Sequence, residues 1–391
     1  MMMIILGIET SCDDTAIGVV EASGGVRRPR FRVRANIISS QVKVHRRFGG
    51  VVPSLAAREH AKNFAPTLRR ALRDSGLRIQ DVDLIAVTTH PGLLPSLFVG
   101  VHAARTLAWA LRKPLLGINH LEGHLIANLL RAESSWRKVK SKRVNAIRSM
   151  PYTIRFPAIG LIVSGGHTQL VLLKDFLTMR IIGETRDDAA GEAFDKVAKL
   201  LGLPFPGGPP VAATAARYRK DSHAEKTFSL PRPMINSNDF DFSFSGLKTA
   251  VLYLLRDLSK KTLGVKQGRM QPRTKEGSLY PIPQSLYPAL CAEFQQAVID
   301  VLIAKTVRAA KRFRARTVLL GGGVAANREL RKQLREALSR ELPSVASILP
   351  PLPYTLDNGA MIAAAAYLHW ETMTASERRR AQWENVRVRA S

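Results

Sequence analysis

One order of apolar segments occurs twice in this chain, and that repetition restricts the fold more than any other feature. Three strand-like runs, Met3–Glu9, Thr15–Glu21 and Phe31–Ile38, open the first round, joined by a turn at Thr10–Asp14 and by Gly24-Gly25. A helical period then aligns Ala61, Phe64, Ala65, Leu68, Ala71 and Leu72 and stops at Gly76. A strand at Asp83–Thr89, a helix at Pro95–Leu111 and a strand at Pro114–Ile118 complete the round. The order then restarts with strands at Ala158–Ser164, Gln169–Leu173 and Met179–Gly183. Helices interrupted by loops precede a strand at Thr317–Leu320, a helix at Ala325–Leu338 and a short strand at Ser347–Leu349. A last helix, Asn358–Trp370, is expected to pack back on the first half.

Two β-β-β-α-β-α rounds predict a duplicated α/β fold of the actin and Hsp70 ATPase kind (the ASKHA, RNase H-like architecture), with two lobes and a cleft between them. A length of 391 residues is enough for two cores. The expected lobes are 1–118 with the returning segment 357–391, and 119–356 with basic insertions near 133–156 and 259–285. Gly7–Asp14, Ser164–His167 and Gly321–Asn327 each follow a strand. Small residues there let backbone N–H groups approach phosphate or ribose, so three such turns at matching places predict nucleotide binding.

Charge points to the partner. Lys and Arg number 59 against 31 Asp and Glu, a net of +28, which favours polyanions such as nucleic acid, although a basic proteome would look the same. Arg27, Arg28, Arg30, Arg32 and Arg34 crowd one segment, and from Arg30 they alternate with Phe31, Val33 and Ala35, as one face of a strand would. Clusters at Arg137, Lys138, Lys140, Lys142, Arg143 and at Lys260, Lys261, Lys266, Arg269, Arg273, Lys275 read as basic loops inserted into a compact fold. No apolar run approaches the roughly 20 residues of a membrane span, and Met1–Leu6 is too short for a signal peptide, so no membrane association is expected. Two cysteines, Cys12 and Cys291, give no disulfide framework and fit a reducing compartment. That compartment is expected to be the cytoplasm, with the mitochondrial matrix as the alternative.

The strongest chemical signal is His120-Leu-Glu-Gly-His124. Two histidines at i and i+4 share a helical face and can bind one metal ion. Glu122 falls about 200° around the helix from His120, which disfavours a zinc peptidase of the His-Glu-x-x-His type. Asp357 is the best further ligand, and it can also cap the last helix. Two imidazoles and a carboxylate suit Fe²⁺ or Zn²⁺. Asp187 and Asp188 are expected to cap the helix that they open, whereas Asp195 lies deeper and could bind a ribose hydroxyl. Pro206-Gly-Gly-Pro-Pro210 reads as a loop rigid at its edges and open in the middle.

Laid end to end, these motifs resemble the TsaD family of tRNA threonylcarbamoyl transferases, in its bacterial and organellar branch. The matching segments are Gly7–Asp14, Phe48-Gly-Gly-Val-Val-Pro-Ser-Leu55, His120–His124, Val163–Thr168, Asp187–Lys196, Phe205–Pro209, Asp241–Thr249, Gly321–Arg328 and Thr355–Gly359, in family order. The resemblance implies transfer of the threonylcarbamoyl group from threonylcarbamoyl-AMP to N6 of adenosine 37 in tRNAs reading codons that begin with A, forming t6A and releasing AMP. It implies His120, His124 and Asp357 as ligands of one divalent metal ion per subunit, Fe²⁺ favoured over Zn²⁺. It implies substrate binding by Ile162, Val163, Ser164, Gly165, Gly166, Asp195, Gly208 and Asn327. TsaB and TsaE homologues are the expected partners, or a second copy in an organelle. Asp13, on the turn that should face the cleft, is the candidate proton acceptor. Asp14 stands where many members have Glu, Ala212 where some have an acidic residue, and the basic insertions fall outside the common core. An actin-like nucleotide-binding scaffold and a metallo-glycoprotease are the alternatives; the scaffold gives no reason for the histidine pair.

The insertion at 133–156 is expected to bind tRNA. Changing Lys138, Lys140, Lys142 and Arg143 together to Ser should weaken tRNA binding and flatten its salt dependence, by up to roughly 0.7–0.9 of a log–log unit for each phosphate that is no longer neutralised. Superimposable affinity curves across a salt series would make the insertion only a solvated loop.

Overall fold

The computed structural model describes residues 2–130, 154–220, 228–263 and 282–389. Lys138, Lys140, Lys142, Arg143 and the cluster from Lys266 to Lys275 lie outside the described residues.

The first sheet contains β1 (Met3–Glu9), β2 (Asp14–Ser23), β3 (Arg30–Ser40), β4 (Leu84–His90) and β5 (Leu115–Asn119), in the order β3-β2-β1-β4-β5. The second contains β6 (Ala158–Val163), β7 (Thr168–Leu173), β8 (Met179–Glu184), β9 (Thr317–Gly321) and β10 (Ala346–Ile348), and read from β8 its order is β8-β7-β6-β9-β10. In both, the first three strands run antiparallel and the last two join parallel to the first. The two rounds of the sequence are therefore two copies of one sheet. β6 and β7 are buried along their whole length, which explains their nearly unbroken apolar composition.

Helices fill the layers around the sheets. In the first half they are α1 (Val42–His45), α2 (Pro53–Ser75), α3 (Leu94–Leu111) and α4 (His120–Ile126). The second half adds α5 (Ala190–Leu200), α6 (Gly208–Lys220), α7 (Ser245–Leu263), α8 (Tyr287–Arg312) and α9 (Arg328–Glu341), before α10 (Gly359–Thr372) and α11 (Ala375–Arg380). α2 begins with Pro53 in its first turn and ends at Gly76 in the left-handed region, φ 69°, as its sequence predicts. The stretch Gln284–Arg312 is long and apolar enough to cross a bilayer by length and composition, but 67% of its apolar window is buried inside the protein. It is the central helix of the second lobe's core, which includes Leu290, Phe294, Val298 and Leu302.

α10 does return to the first half, where it lies on β1 and β2. Every residue from Gly359 to Leu368 is buried, which accounts for a helix that is apolar all round. The contact is backbone against backbone. A Cβ on Gly7 would stand 2.0 Å from Gly359 O, and one on Gly18 would stand 2.3 Å from Ala360 N. The sequence places Gly7 in a phosphate-approaching turn; the structure places it within β1 instead, where its missing side chain makes room for α10.

Two capping assignments are corrected. α5 has Ala189 at its cap position and no side-chain cap. Asp187 instead holds the start of α7, accepting from the N–H groups of Phe244 (2.8 Å) and Ser245 (3.2 Å) and from the hydroxyls of Ser243 and Ser245. Asp188 pairs with Lys196 at 2.5 Å. α10 is capped by Asn358, whose Oδ1 accepts from Met361 N–H at 2.9 Å, and Asp357 is left outside the helix.

Gly18→Ala should destabilise the fold by about 3 kcal/mol or more, because its Cβ meets main-chain atoms that cannot yield without moving α10. Gly165→Ala, which meets nothing within 4 Å, should change stability by no more than about 0.5 kcal/mol. Denaturant unfolding of the two variants checks both.

Candidate functional site

β5 delivers the chain to α4 at Asn119, whose Oδ1 accepts from Leu121 N–H at 2.7 Å and Glu122 N–H at 3.3 Å. This cap starts the helix so that His120 and His124 stand one turn apart, both buried, with ring centroids 4.6 Å apart. Asp357 meets them from the segment before α10: its Oδ1 lies 3.6 Å from His120 Nε2 and 3.2 Å from His124 Nε2. The three candidate ligand atoms all lie within 4.8 Å of one another. Both ring nitrogens of His124 are buried without a hydrogen-bond partner, so the 3.2 Å approach to Asp357 is close but not aligned as a hydrogen bond. Ligands about 2.1 Å from a shared ion stand roughly 3–3.5 Å apart. An orphaned imidazole, a second imidazole and a carboxylate at these separations fit a divalent metal ion.

Sequence reasoning missed the group that orients the pair. Glu9, fully buried at the end of β1, places Oε2 2.9 Å from His120 Nδ1. Thr88 Oγ1 donates to the same oxygen at 2.5 Å, and Ser11 N–H donates to Oε1 at 2.5 Å. A carboxylate held this way fixes the ring with Nε2 toward Asp357, an arrangement common around metal-binding histidines. A charged residue closing an apolar strand was the available signal. Glu122 is also buried, but it pairs with His369 Nε2 at 2.7 Å, away from the triad, as the helical angle requires. It does not stand where a metallopeptidase would need its base.

The charges are strongly coupled. Burial opposes a proton on His120, but the carboxylates of Glu9 and Asp357 outweigh it and raise the imidazole to about 9. Burial and the charge of His120 push His124 down. Burial acts to raise Asp357, yet His120 and His124 hold it at about 2.

Ser164–His167 forms a tight turn: Ser164 N–H donates to His167 O at 2.8 Å, and His167 N–H donates to Ser164 Oγ at 3.1 Å. Cβ atoms on Gly165, Gly166 or Gly208 would meet nothing within 4 Å, so the side-chain side of each is open. Gly191, by contrast, has no room for a Cβ against Ser164 O, and this contact seats the start of α5 under the turn. His167 is pushed down to about 4, chiefly by burial and further by the nearby His120 and His124, which places a neutral imidazole beside the triad. The side chains of Ile162 and Val163 are buried in β6, so only their main chain can reach a ligand. Asp195 Oδ1 accepts from Gly207 N–H at 2.6 Å, which joins it to the loop bearing Gly208, and burial raises its carboxyl to about 6. Asn327 caps α9 through Oδ1 and donates from Nδ2 to Gln295 Oε1 at 2.8 Å. Asp13 is raised by burial and by Asp357, and Asp14, raised to about 7 chiefly by burial, has a buried Oδ1 without a partner.

Three outcomes test this centre. The wild type should bind about one divalent ion per chain, and the His120→Ala, His124→Ala double variant none, by elemental analysis. Glu9→Gln should weaken metal affinity by roughly 10–100-fold in chelator competition. Because metal-free His120 keeps its proton below about 9, an incoming ion must displace it. Metal affinity should therefore climb as pH rises from 6 toward about 9, with proton release visible in buffers of different ionisation enthalpy.

The family model for TsaD, tRNA N6-adenosine threonylcarbamoyltransferase, matches residues 32–138 and 138–364. The tRNA N6-adenosine threonylcarbamoyltransferase of Thermomicrobium roseum is 46% identical over 374 residues, 93% of this chain and 91% of its own. That of Moorella thermoacetica is 45% identical over 366 residues, 94% of this chain and 92% of its own. HypF from T. kodakarensis is similar in fold alone, with a TM-score of 0.52 at 13% identity over 96% of this chain and 49% of that one. The duplicated sheets and that likeness establish the two-lobed actin/Hsp70-like architecture, and on the family match and the identity over nearly its whole length, the chain belongs to the TsaD family of tRNA N6-adenosine threonylcarbamoyltransferases.

Proposed function

We propose that this chain transfers the threonylcarbamoyl group of threonylcarbamoyl-AMP to N6 of adenosine 37 in tRNAs that read codons beginning with A, with AMP as the leaving group. The observation that carries the reading is the pairing, in a TsaD-family chain, of a His120–His124–Asp357 triad with the open Gly165-Gly166 backbone turn. A divalent ion held by the triad, Fe²⁺ by preference and Zn²⁺ as the alternative, would supply positive charge and an anchor for donor oxygens.

The protein's own groups account for the rest. AMP is a good leaving group, so the main tasks are to position the donor and to stabilise charge on its phosphate. Gly165 and Gly166 are open on the side where a side chain would stand, so the phosphate can approach their backbone closely and take their N–H groups as donors when it leaves. Asp195 and Gly208, tied through Gly207, form the ribose side of the pocket. The attacking amine must lose a proton, and Asp13 is the acceptor, its basicity increased by burial and by Asp357. The two lobes that close on the substrates are 1–118 with 357–391, and 119–356. Cytoplasmic homologues of TsaB and TsaE are the proposed partners.

Incubating the protein and its partners with threonylcarbamoyl-AMP, ATP and an ANN-decoding tRNA, reading nucleosides by mass spectrometry, and measuring ATP turnover by the protein alone, tests the reading. Formation of t6A that depends on the protein supports it, and ATP turnover without t6A would favour the scaffold alternative. Asp195→Ala should weaken donor binding by about 1.5–3 kcal/mol with the fold intact. A ribose hydroxyl donates best to the ionised carboxylate, so wild-type donor affinity should rise with pH through about 6 and then level. Asp195→Asn should remove that step; a step unchanged in the variant would assign it to another group.

A further inference from the structure

The turn Arg46–Gly49 has no part in the chemistry above, yet it connects the two sides of the candidate site. Its root is fixed to the Thr10–Asp13 turn, where Gln41 N–H donates to Asp13 O at 3.0 Å, and buried Gln41 in turn holds His45 at 3.0 Å. Its tip reaches the other lobe, where Arg46 Nε donates to Phe205 O at 3.2 Å, two residues before the Gly207 N–H that holds Asp195. Gly49 closes the turn at φ 68°, and a Cβ there would stand 3.9 Å from Lys199 Nζ. The turn thus spans from the proposed proton acceptor to the proposed ribose loop.

Its middle residue is an aromatic left in solvent. Phe48 is 50% exposed, and the Arg47 guanidinium carbon lies 4.8 Å from its ring centroid. Lys43, Arg46, Arg47 and Lys199 are all exposed, and among the described residues none of the four forms an ion pair. An exposed ring backed by a guanidinium, amid unpaired cations at the rim of a cleft, suits a single-stranded nucleic acid. Enzymes that do chemistry on a base draw it out of the stack into a pocket, which deprives the neighbouring base of a partner.

We propose that Phe48, backed by Arg47, is the platform on which the base next to the target adenosine stacks, while Lys43, Arg46 and Arg47 meet the phosphates of that loop. The proposal rests on the tRNA-modifying reading above and adds the surface that holds the loop open. Sequence-tolerant stacking suits an enzyme that accepts several tRNAs, because every base has a π-face.

The test uses the protein with its partners, threonylcarbamoyl-AMP, and an anticodon stem-loop whose two neighbours of the target adenosine are made abasic in turn. Phe48→Leu should raise the RNA Kd and lower kcat/KM by roughly 5- to 50-fold, and Phe48→Trp should restore both. Metal content, donor affinity and thermal stability should not move, since the ring is exposed and outside the triad. In the wild type, one of the abasic loops should bind more weakly by a similar factor, and Phe48→Leu should lose little further on that loop. Wild-type RNA affinity in Phe48→Leu, or equal losses from both abasic loops in wild type and variant, would overturn the platform. So would a loss seen only as weaker association with a partner protein, because the ring would then be a protein contact. A wild type that binds the loop but forms no t6A would instead count against the reaction itself.

Discussion

The close approach of α10 to β1 and β2 is the constraint on which the site depends. Gly7, Gly18 and Gly359 bring main chains together at separations that no side chain would permit. Asn36 and Asn358 then satisfy the first N–H groups of the helix, at Ala360 (3.2 Å) and Met361 (2.9 Å). With the helix start fixed on both sides, the residue just before it has little freedom, and that residue is Asp357. Had Asp357 capped the helix itself, its carboxylate would have been turned to backbone N–H groups rather than to two imidazoles. The asparagine beside it releases the acid for other chemistry.

The electrostatics follow from that placement. Glu9 and Asp357 are carboxylates with the imidazole of His120 between them, and Asp13 and Asp14 add acidic groups raised chiefly by burial and further by Asp357. A buried group of this composition is held together by one shared proton and lacks positive charge. A divalent cation held by His120, His124 and Asp357 would take the place of the proton and supply two charges where one was. His124, already neutral and with both nitrogens unbonded, need lose nothing to become a ligand. The cleft that repels a second anion when empty of metal is therefore suited to an anionic donor once cationic charge is present.

What the sequence disclosed depended on how far apart the partners lie along the chain. The strand order, the cap at Gly76 and the pairing of His120 with His124 rest on spacings of a few residues, and periodicity reports these directly. Glu9 meets His120 across 111 positions and Thr88 across 79, and nothing local distinguishes it from a strand-end acid. Asp187 has the position of a cap for the helix beside it but holds one 57 residues later, through Phe244. Gly7 resembles a turn glycine because it sits near a turn, whereas its reason is a backbone contact with Gly359. Asp357 was legible as a ligand candidate, but its release from capping was not, since Asp and Asn are equally good caps.

The duplication explains the division of labour across the cleft. In each sheet the first two strands meet in a turn at the equivalent place, and the two turns carry opposite chemistry. The β1–β2 turn carries Ser11, Cys12 and Asp13 beside the buried Glu9, so it is acidic and borders the His120–His124–Asp357 group. The β6–β7 turn carries Ser164, Gly165, Gly166 and His167, with glycines open on their side-chain side and no carboxylate, so it lets a phosphate approach the backbone. Neither turn could perform both tasks: a phosphate on the acidic turn would be repelled, and the glycine turn has no carboxylate to take a proton. Transfer of an acyl group from a phosphate to an amine needs both environments at the two ends of one small donor. Two copies of one sheet, diverged at the same turn, provide them.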